Sequence, residues 1–169
     1  HNVIGVGQRY YDPFRNVVGI MINRALHNKN LIVYGDGEQK RSFSDVRDCI
    51  IAVERIIQST RTDLCGQVFN IGPDDNEMSI KQLAALVLHH CETYRSLDYY
   101  PDRPREVKDA YCLSDKIRKE FNYNATTSTE QTIKDMIGWI RPIKKEFEYH
   151  LPLELITEDT PKTWTDKLI

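Results

Sequence analysis

Several features that would assign this chain to a class of protein at once are missing from its sequence. No apolar run approaches the ~20 residues that a helix needs to cross a bilayer, so we predict no membrane partner. The net charge is −2, the pI is near 6.2 and there is no basic stripe, which argues against nucleic acid as a partner. The cysteines are widely spaced, without a C-x-x-C pair or a histidine at metal-ligand spacing: Cys49, Cys65, Cys91 and Cys112. A metal site and a disulfide framework are therefore disfavoured, and reduced cysteines indicate a cytoplasmic protein.

What the chain does contain suits a globular α/β lobe. Its 169 residues are 40% hydrophobic and 28% charged, which is enough to build a core. Short β-branched or aromatic runs alternate with amphipathic stretches, so the pattern predicts short strands with about five helices. Each helix begins near a residue whose side chain can accept a first-turn N–H: Asn16, Ser44, Ser79, Ser114 and Ser128.

Residues 31–52 contain the pattern on which most of the predicted fold and site depend. Residues 31–34 (LIVY) form an apolar strand, and Gly35-Asp36-Gly37 ends it in a turn. Arg41 then lies on a loop at the strand's carboxyl end, where open α/β sheets collect ligands. The following helix should bury an apolar face made of Val46, Cys49, Ile50, Val53, Ile56 and Ile57.

Two further strands are predicted downstream. Residues 67–71 form one, and the run Gly72-Pro73-Asp74-Asp75-Asn76 should turn the chain immediately after it. Residues 97–100 form the other, which leads into an exposed loop carrying Arg103. From position 147 onward, prolines interrupt the apolar residues, so this tail should pack on its own lobe or on a partner.

Four blocks in this order resemble the carboxyl half of one known family. The segment 35–48 reads G-D-G-x-x-x-R-x-F-x-x-V-x-D, and Asn2-Val3-Ile4-Gly5 resembles an N-V-Y-G segment. Residues 66–72 fit G-x-x-[YF]-N-[IL]-G, and residues 79–88 resemble the helix that follows. Together they are similar to the extended short-chain dehydrogenases/reductases, which include the nucleotide-sugar epimerases, dehydratases and decarboxylases.

The resemblance implies that a larger Rossmann half accompanies this lobe. The chain contains no G-x-x-G-x-x-G turn and no Tyr-x-x-x-Lys pair, with which the family binds NAD and removes a hydroxyl proton. We therefore expect a missing nucleotide-binding half of about 150 residues or more. Residues 1–146 would be the C-terminal, substrate-binding lobe of an extended Rossmann-type enzyme, and residues 147–169 an extension of it. The implied assembly is a homodimer, and the isolated chain should neither bind NAD tightly nor catalyse a reaction.

The resemblance also implies which residues hold a nucleotide-diphosphate sugar. Arg41 and Arg103 would fork onto the pyrophosphate, the helix start at Asn16 would bind a phosphate, and Tyr34 would seat the base. The full predicted set, in which no residue is catalytic, is Asn2, Asn16, Val17, Ile32, Tyr34, Arg41 and Arg103.

Each role has a structural alternative. Asn16 could only cap its helix, and Tyr34 could be ordinary strand packing. Arg41 could form a salt bridge with Asp45 or Asp48 one helix turn away. Arg103 could belong to a solvated basic loop, because the chain has Arg-Pro-Arg-Glu where the family commonly has Arg-x-Gly-Asp.

The type of residue at position 16 is used to rank the candidate reactions. Residues 37–48 resemble UDP-glucuronate decarboxylases, but those enzymes tend to carry an arginine where this chain has Asn16, and the 4,6-dehydratases a lysine. Asparagine is typical of 4-epimerases, and a neutral residue suits a neutral hexose. We therefore predict a UDP-sugar 4-epimerase first and a decarboxylase or dehydratase second. A non-catalytic binding or scaffolding lobe is the alternative from another class.

Overall fold

The computed structural model describes residues 2–73, 77–150, 152–153 and 156–169 and shows an α/β architecture. Its helices are α1 (Val17–Leu26), α2 (Val46–Gln58), α3 (Ile80–Cys91), α4 (Asp115–Phe121), α5 (Thr129–Ile140) and α6 (Lys162–Thr165). Its strands are β1 (Val3–Ile4), β2 (Leu31–Tyr34), β3 (Lys40–Ser42), β4 (Ser44–Asp45), β5 (Glu77–Ser79), β6 (Leu97–Tyr100) and β7 (Asp109–Ala110). The predicted class of fold is confirmed, and α6 in the tail adds a sixth helix.

The strands pair into three small sheets. Strand β1 pairs with β4 and β2 with β6, both in parallel, and the second pair keeps Leu31 opposite Leu97. Strand β3 lies between β5, which is antiparallel, and β7, which is parallel. The predicted strands at 31–34 and 97–100 are confirmed and lie side by side.

Helices α1, α3 and α5 pack around one hydrophobic core. Every side chain of this core is almost completely shielded from water, and each Val, Leu, Ile or Met contributes about 1.5 to 3 kcal/mol relative to an exposed position. The central members are Val18, Met21, Ile22, Leu83, Ala84, Val87, Ile133, Met136 and Ile140. Amphipathic helices were predicted in general, and α1, α3 and α5 do bury their apolar faces, as helical spacing requires.

Helix caps follow the sequence closely, with two corrections. Ser114 precedes α4 as predicted, but it makes no side-chain capping hydrogen bond to that helix, and its hydroxyl donates to Gly72 O at 2.8 Å. Ser79 and Gln82 form the predicted capping box of α3, and Ser128 accepts the backbone N–H of Gln131 at the start of α5. Helix α2 was predicted to begin at Ser44, but Ser44 belongs to β4 and Asp45 is the cap, accepting the N–H of Arg47 at 2.7 Å. A carboxylate is favoured there because it also meets the positive end of the helix dipole.

The apolar face of α2 is the largest departure from expectation. Val53 and Ile56 are exposed, and Ile50 and Ile57 are 60% and 77% exposed. The buried positions of this helix are Asp48 and Ala52, and the latter packs in a small second cluster with α4. The helical periodicity was real, but the predicted burial was wrong, because no described part of the chain covers that face.

The strand predicted at 67–71 is likewise absent from the described residues. This segment has no regular secondary structure and pairs with no strand there, and Val68 is 80% exposed. An apolar segment of strand-like composition needs a neighbouring strand to bond its backbone, and the described residues provide none for it. The predicted turn after it falls partly on residues 74–76, which lie outside the described part of the chain.

The C-terminal tail packs against the lobe. Thr163 Oγ1 hydrogen bonds the Tyr34 hydroxyl, and the backbone N–H of Glu148 donates to Tyr11 O at 2.9 Å. Within the described ranges, no helix is both long and apolar enough to span a bilayer.

Candidate functional site

A cavity of about 250 Å³ lies where the start of α1, the end of β2, strand β3, the loop 101–106 and the C-terminal tail meet. Parts of the chain that are distant in sequence therefore converge on one space. All seven residues predicted from the sequence line it: Asn2, Asn16, Val17, Ile32, Tyr34, Arg41 and Arg103. The structure brings the predicted set together, and their contact with a ligand stays a prediction.

Two guanidinium groups share one carboxylate in this cavity. Arg41 Nη2 lies 3.1 Å from Glu106 Oε1, and Arg103 donates from Nε at 3.1 Å and from Nη2 at 2.6 Å. The side chains of Arg41 and Glu106 are only 15% and 13% exposed, so this pairing is weakly screened by solvent. The hydrogen bonds from Arg103 to Glu106 raise the pKa of the Arg103 guanidinium, which therefore stays charged.

The position of Arg41 differs from the sequence prediction in two ways. Arg41 was predicted on a loop, but it lies on strand β3 between Met78 of β5 and Ala110 of β7. Its alternative partners, Asp45 and Asp48, are engaged elsewhere: Asp45 pairs with Arg47, and Asp48 accepts hydrogen bonds from residues 126 and 127.

Nη1 of Arg41 also donates to the backbone carbonyls of Lys40 at 2.6 Å and Lys108 at 3.2 Å. A sheet position with three fixed acceptors holds the guanidinium far more firmly than a loop would. The alternative of a salt bridge within the following helix turn is therefore wrong.

Asn16 caps helix α1, so its structural role is observed. Its Oδ1 accepts the backbone N–H of Val18 at 3.0 Å. The capping bond uses only the amide oxygen, so the two Nδ2 protons can still donate to a phosphate or a sugar hydroxyl. Asn16 and Val17 both line the cavity, which places the positive end of the α1 dipole at its wall.

Tyr34 connects the cavity to two other parts of the chain. Its ring lies under the guanidinium of Arg103, with 4.9 Å between the Cζ atom and the ring centroid. Its hydroxyl hydrogen bonds Thr163 Oγ1 in the tail. Burial raises the pKa of the phenol, which therefore stays protonated. Tyr34 is therefore packed as a strand residue and also lines the cavity, and its contact with a base stays a prediction.

A glycine turn places the arginine loop beside β2. Gly35 has φ +60, a left-handed conformation that L side chains rarely adopt, and an added Cβ would lie 1.9 Å from Asp102 Oδ1. Asn2 enters the cavity from β1, where its Nδ2 donates to Ser42 O at 3.2 Å. This bond ties the first strand to the strand that carries Arg41.

Sequence reasoning missed several residues of the cavity wall, and three of them are Glu106, Phe14 and Trp164. Glu106 holds both arginines, Phe14 precedes α1, and Trp164 comes from α6. Glu106 could have been suspected, because it stands where the related Arg-x-Gly-Asp motif has an acid. Phe14 and Trp164 gave no periodic signal.

The fold and the cavity together define an α/β lobe in which two guanidinium groups and the carboxylate that they share are held at one cavity. Residues 5–136 match the family described as GDP-mannose 4,6 dehydratase. The chain belongs to this family, within the extended short-chain dehydrogenases/reductases, and the predicted resemblance is confirmed.

Individual relatives carry several activities. The chain is 31% identical over 142 residues to a UDP-N-acetyl-α-D-glucosaminuronate decarboxylase of Bacillus cytotoxicus, an alignment that covers 79% of this chain and 42% of that protein. It is similar to the solved UDP-glucose 4-epimerase of Thermotoga maritima, solved with UDP-glucose, at a TM-score of 0.76 and 25% identity over 83% of this chain and 44% of the other.

The fold is also shared with a UDP-glucuronic acid 4-epimerase of Bacillus cereus in complex with UDP-glucuronic acid and NAD. That comparison gives a TM-score of 0.75 and 23% identity over 83% of this chain and 43% of the other. The chain thus spans less than half the length of the relatives that it matches.

Proposed function

We propose that this chain is the nucleotide-sugar-binding lobe of an NAD-dependent UDP-sugar 4-epimerase. The observation that carries the proposal is the pair of guanidinium groups fixed side by side at the cavity by Glu106. A diphosphate needs such fixed cationic forks, and the N-terminus of α1 adds backbone donors to the same wall.

The arginines keep donors for a ligand although Glu106 already binds them. A guanidinium has five N–H groups. Arg41 uses three hydrogen bonds within the protein and Arg103 uses two, both counts taken within the described residues. Glu106 also cancels only one of the two positive charges. A diphosphate can therefore add to this cluster without displacing its carboxylate.

A larger nucleotide-binding half supplies the redox chemistry in this proposal. NAD bound there would supply reversible hydride transfer, while the residues of this chain bind and orient the substrate. The matches cover only 42% and 44% of the relatives' own lengths, and the exposed apolar side chains of α2 together with Val68 offer the surface that such a half would cover. We expect the whole protein to be a cytoplasmic homodimer.

A neutral side chain at Asn16 supports a neutral hexose as substrate. A second candidate, a decarboxylase acting on a UDP-uronic acid, is supported by the 31% identical relative of that name.

Product analysis of the whole protein with NAD tests the proposal. UDP-glucose and the UDP-uronic acids would be offered separately, and products would be identified by NMR spectroscopy. Conversion of UDP-glucose to its 4-epimer is expected. Release of carbon dioxide from a uronic acid would assign the second candidate, and UDP binding without turnover of any of them would leave a non-catalytic binding lobe.

A further inference from the structure

The C-terminal strap, residues 156–169, lies beyond the part of the chain that matches the family, which ends at residue 136. It nevertheless supplies two side chains to the cavity wall, Trp164 and Ile169. A segment outside the shared family region therefore shapes the space in which the family's ligand would lie.

Buried hydrogen bonds anchor the strap to the lobe. Arg24 of α1 is only 7% exposed, and its Nη1 donates to Leu168 O at 2.8 Å. Tyr149 donates its hydroxyl proton to Ile169 O at 3.2 Å, and the buried Thr163 hydroxyl hydrogen bonds Tyr34. Removing an acceptor from a buried guanidinium is costly. The strap is therefore a fixed wall of the cavity.

Trp164 lies at the junction of the cavity and a neighbouring depression. Its ring meets Phe14 edge to face, with centroids 5.7 Å apart and planes at 83°. Both hollows include Asn2, Arg41 and Arg103 among their lining residues. Trp164 is only half-buried, so part of its indole surface is available to a ligand.

The accessible indole surface of Trp164 suits the sugar part of a nucleotide-diphosphate sugar. Ile32 and Tyr34, which the base is proposed to meet, line the cavity but not the depression, whereas Trp164 lines both. An indole face binds the C–H face of a pyranose ring by burying apolar area while leaving the hydroxyls free.

We propose that Trp164, on a segment outside the family match, contacts the sugar of the bound nucleotide-diphosphate sugar and helps to set which sugars this site accepts. The proposal rests on the proposed function, because it takes the cavity to be the nucleotide-sugar site.

Calorimetric titration of the whole protein with UDP and with UDP-glucose tests it. In Trp164→Ala, the affinity for UDP-glucose should fall about three- to tenfold, while the affinity for UDP changes less than about twofold. Trp164→Phe should recover part of the loss because it keeps an aromatic face. Lys162→Ala is the matched control, since Lys162 lies exposed on the same short helix and does not line the cavity.

Three outcomes would overturn the assignment. An unchanged affinity for UDP-glucose in Trp164→Ala would remove Trp164 from the site, and an equal loss for UDP and UDP-glucose would place it over the nucleotide. Tighter binding of UDP-glucose by Trp164→Ala would show that Trp164 holds the strap where it obstructs the ligand. Melting temperatures check folding, and Tyr149→Phe reports the effect of loosening the strap alone. Failure of the unaltered protein to bind UDP-glucose would instead contradict the proposed function itself.

Discussion

Replacing Arg41 separates a ligand-binding role from a structural one. In Arg41→Ala, Glu106 loses one hydrogen bond of 3.1 Å but keeps the two from Arg103, so its carboxylate does not become an unpaired buried charge. The free energy of unfolding should therefore fall by only about 1 kcal/mol. The site, in contrast, loses one of its two guanidinium groups.

The effect on binding should be larger than the effect on stability. A charge-assisted hydrogen bond contributes about 1.5 to 3 kcal/mol, so the affinity of the whole protein for UDP should drop roughly ten- to a hundredfold. Arg41→Lys should recover part of that loss, since it keeps the charge but not the planar fork. Calorimetric titration with UDP measures the affinity, and thermal unfolding without ligand measures the stability.

Arg47→Ala is the matched control for losing an arginine and its ion pairs. Arg47 contacts Asp45 at 2.7 Å and Asp135 at 2.8 Å, and it does not line the cavity. This variant should lower the melting temperature and leave the affinity for UDP unchanged. Unchanged UDP affinity in Arg41→Ala, together with a lower melting temperature, would refute the ligand-binding role and make Arg41 a structural residue.

Three further predictions concern stability and reactivity. Asp48→Ala should lower the free energy of unfolding, measured by urea denaturation, by about 2 to 3 kcal/mol. The buried Asp48 carboxylate accepts the N–H and hydroxyl of Thr126 and the N–H of residue 127, and all three hydrogen bonds would be lost. Burial would raise the pKa of Asp45, but hydrogen bonds from Arg47 and residue 132 outweigh it and hold the pKa low. The ionised Asp45 carboxylate therefore stabilises the fold fully above about pH 5, and this stabilisation is lost as the pH falls through the lowered pKa. The melting temperature should decline below about pH 4, and it should decline less in Asp45→Asn. Burial raises the pKa of Cys91 to about 11, so iodoacetamide at about pH 8 should label the exposed Cys65 and spare Cys91 until the chain unfolds.

Local rules account for the elements that were predicted correctly. The strand at 31–34, the caps at Asn16, Ser79 and Ser128, and the inward faces of α1, α3 and α5 each depend on residues close together in sequence. Propensity, capping and helical periodicity act at that range, and the core confirms them.

Long-range pairings account for the misses. Arg41 and its partner Glu106 are 65 positions apart, and nothing in the spacing of charges indicates that they meet. The periodicity of α2 predicts an apolar face but not what covers it, which is why Ile57 was expected inside and lies exposed. Trp164 reaches the cavity because Arg24 and Tyr149 hold the strap there. Hydrogen bonds between residues so far apart in the chain cannot be inferred from sequence patterns.

The side chains that meet at the cavity are held in position before a ligand binds. Strand β3 is paired on both sides, so Arg41 cannot swing away, and the bidentate contact with Glu106 fixes Arg103 beside it. Ordering a long side chain on binding costs about 0.5 to 1.5 kcal/mol each, and this lobe has already met that cost for both arginines. A diphosphate bound as proposed would therefore meet donors that need not reorganise, which lowers the cost of taking such an anion out of water.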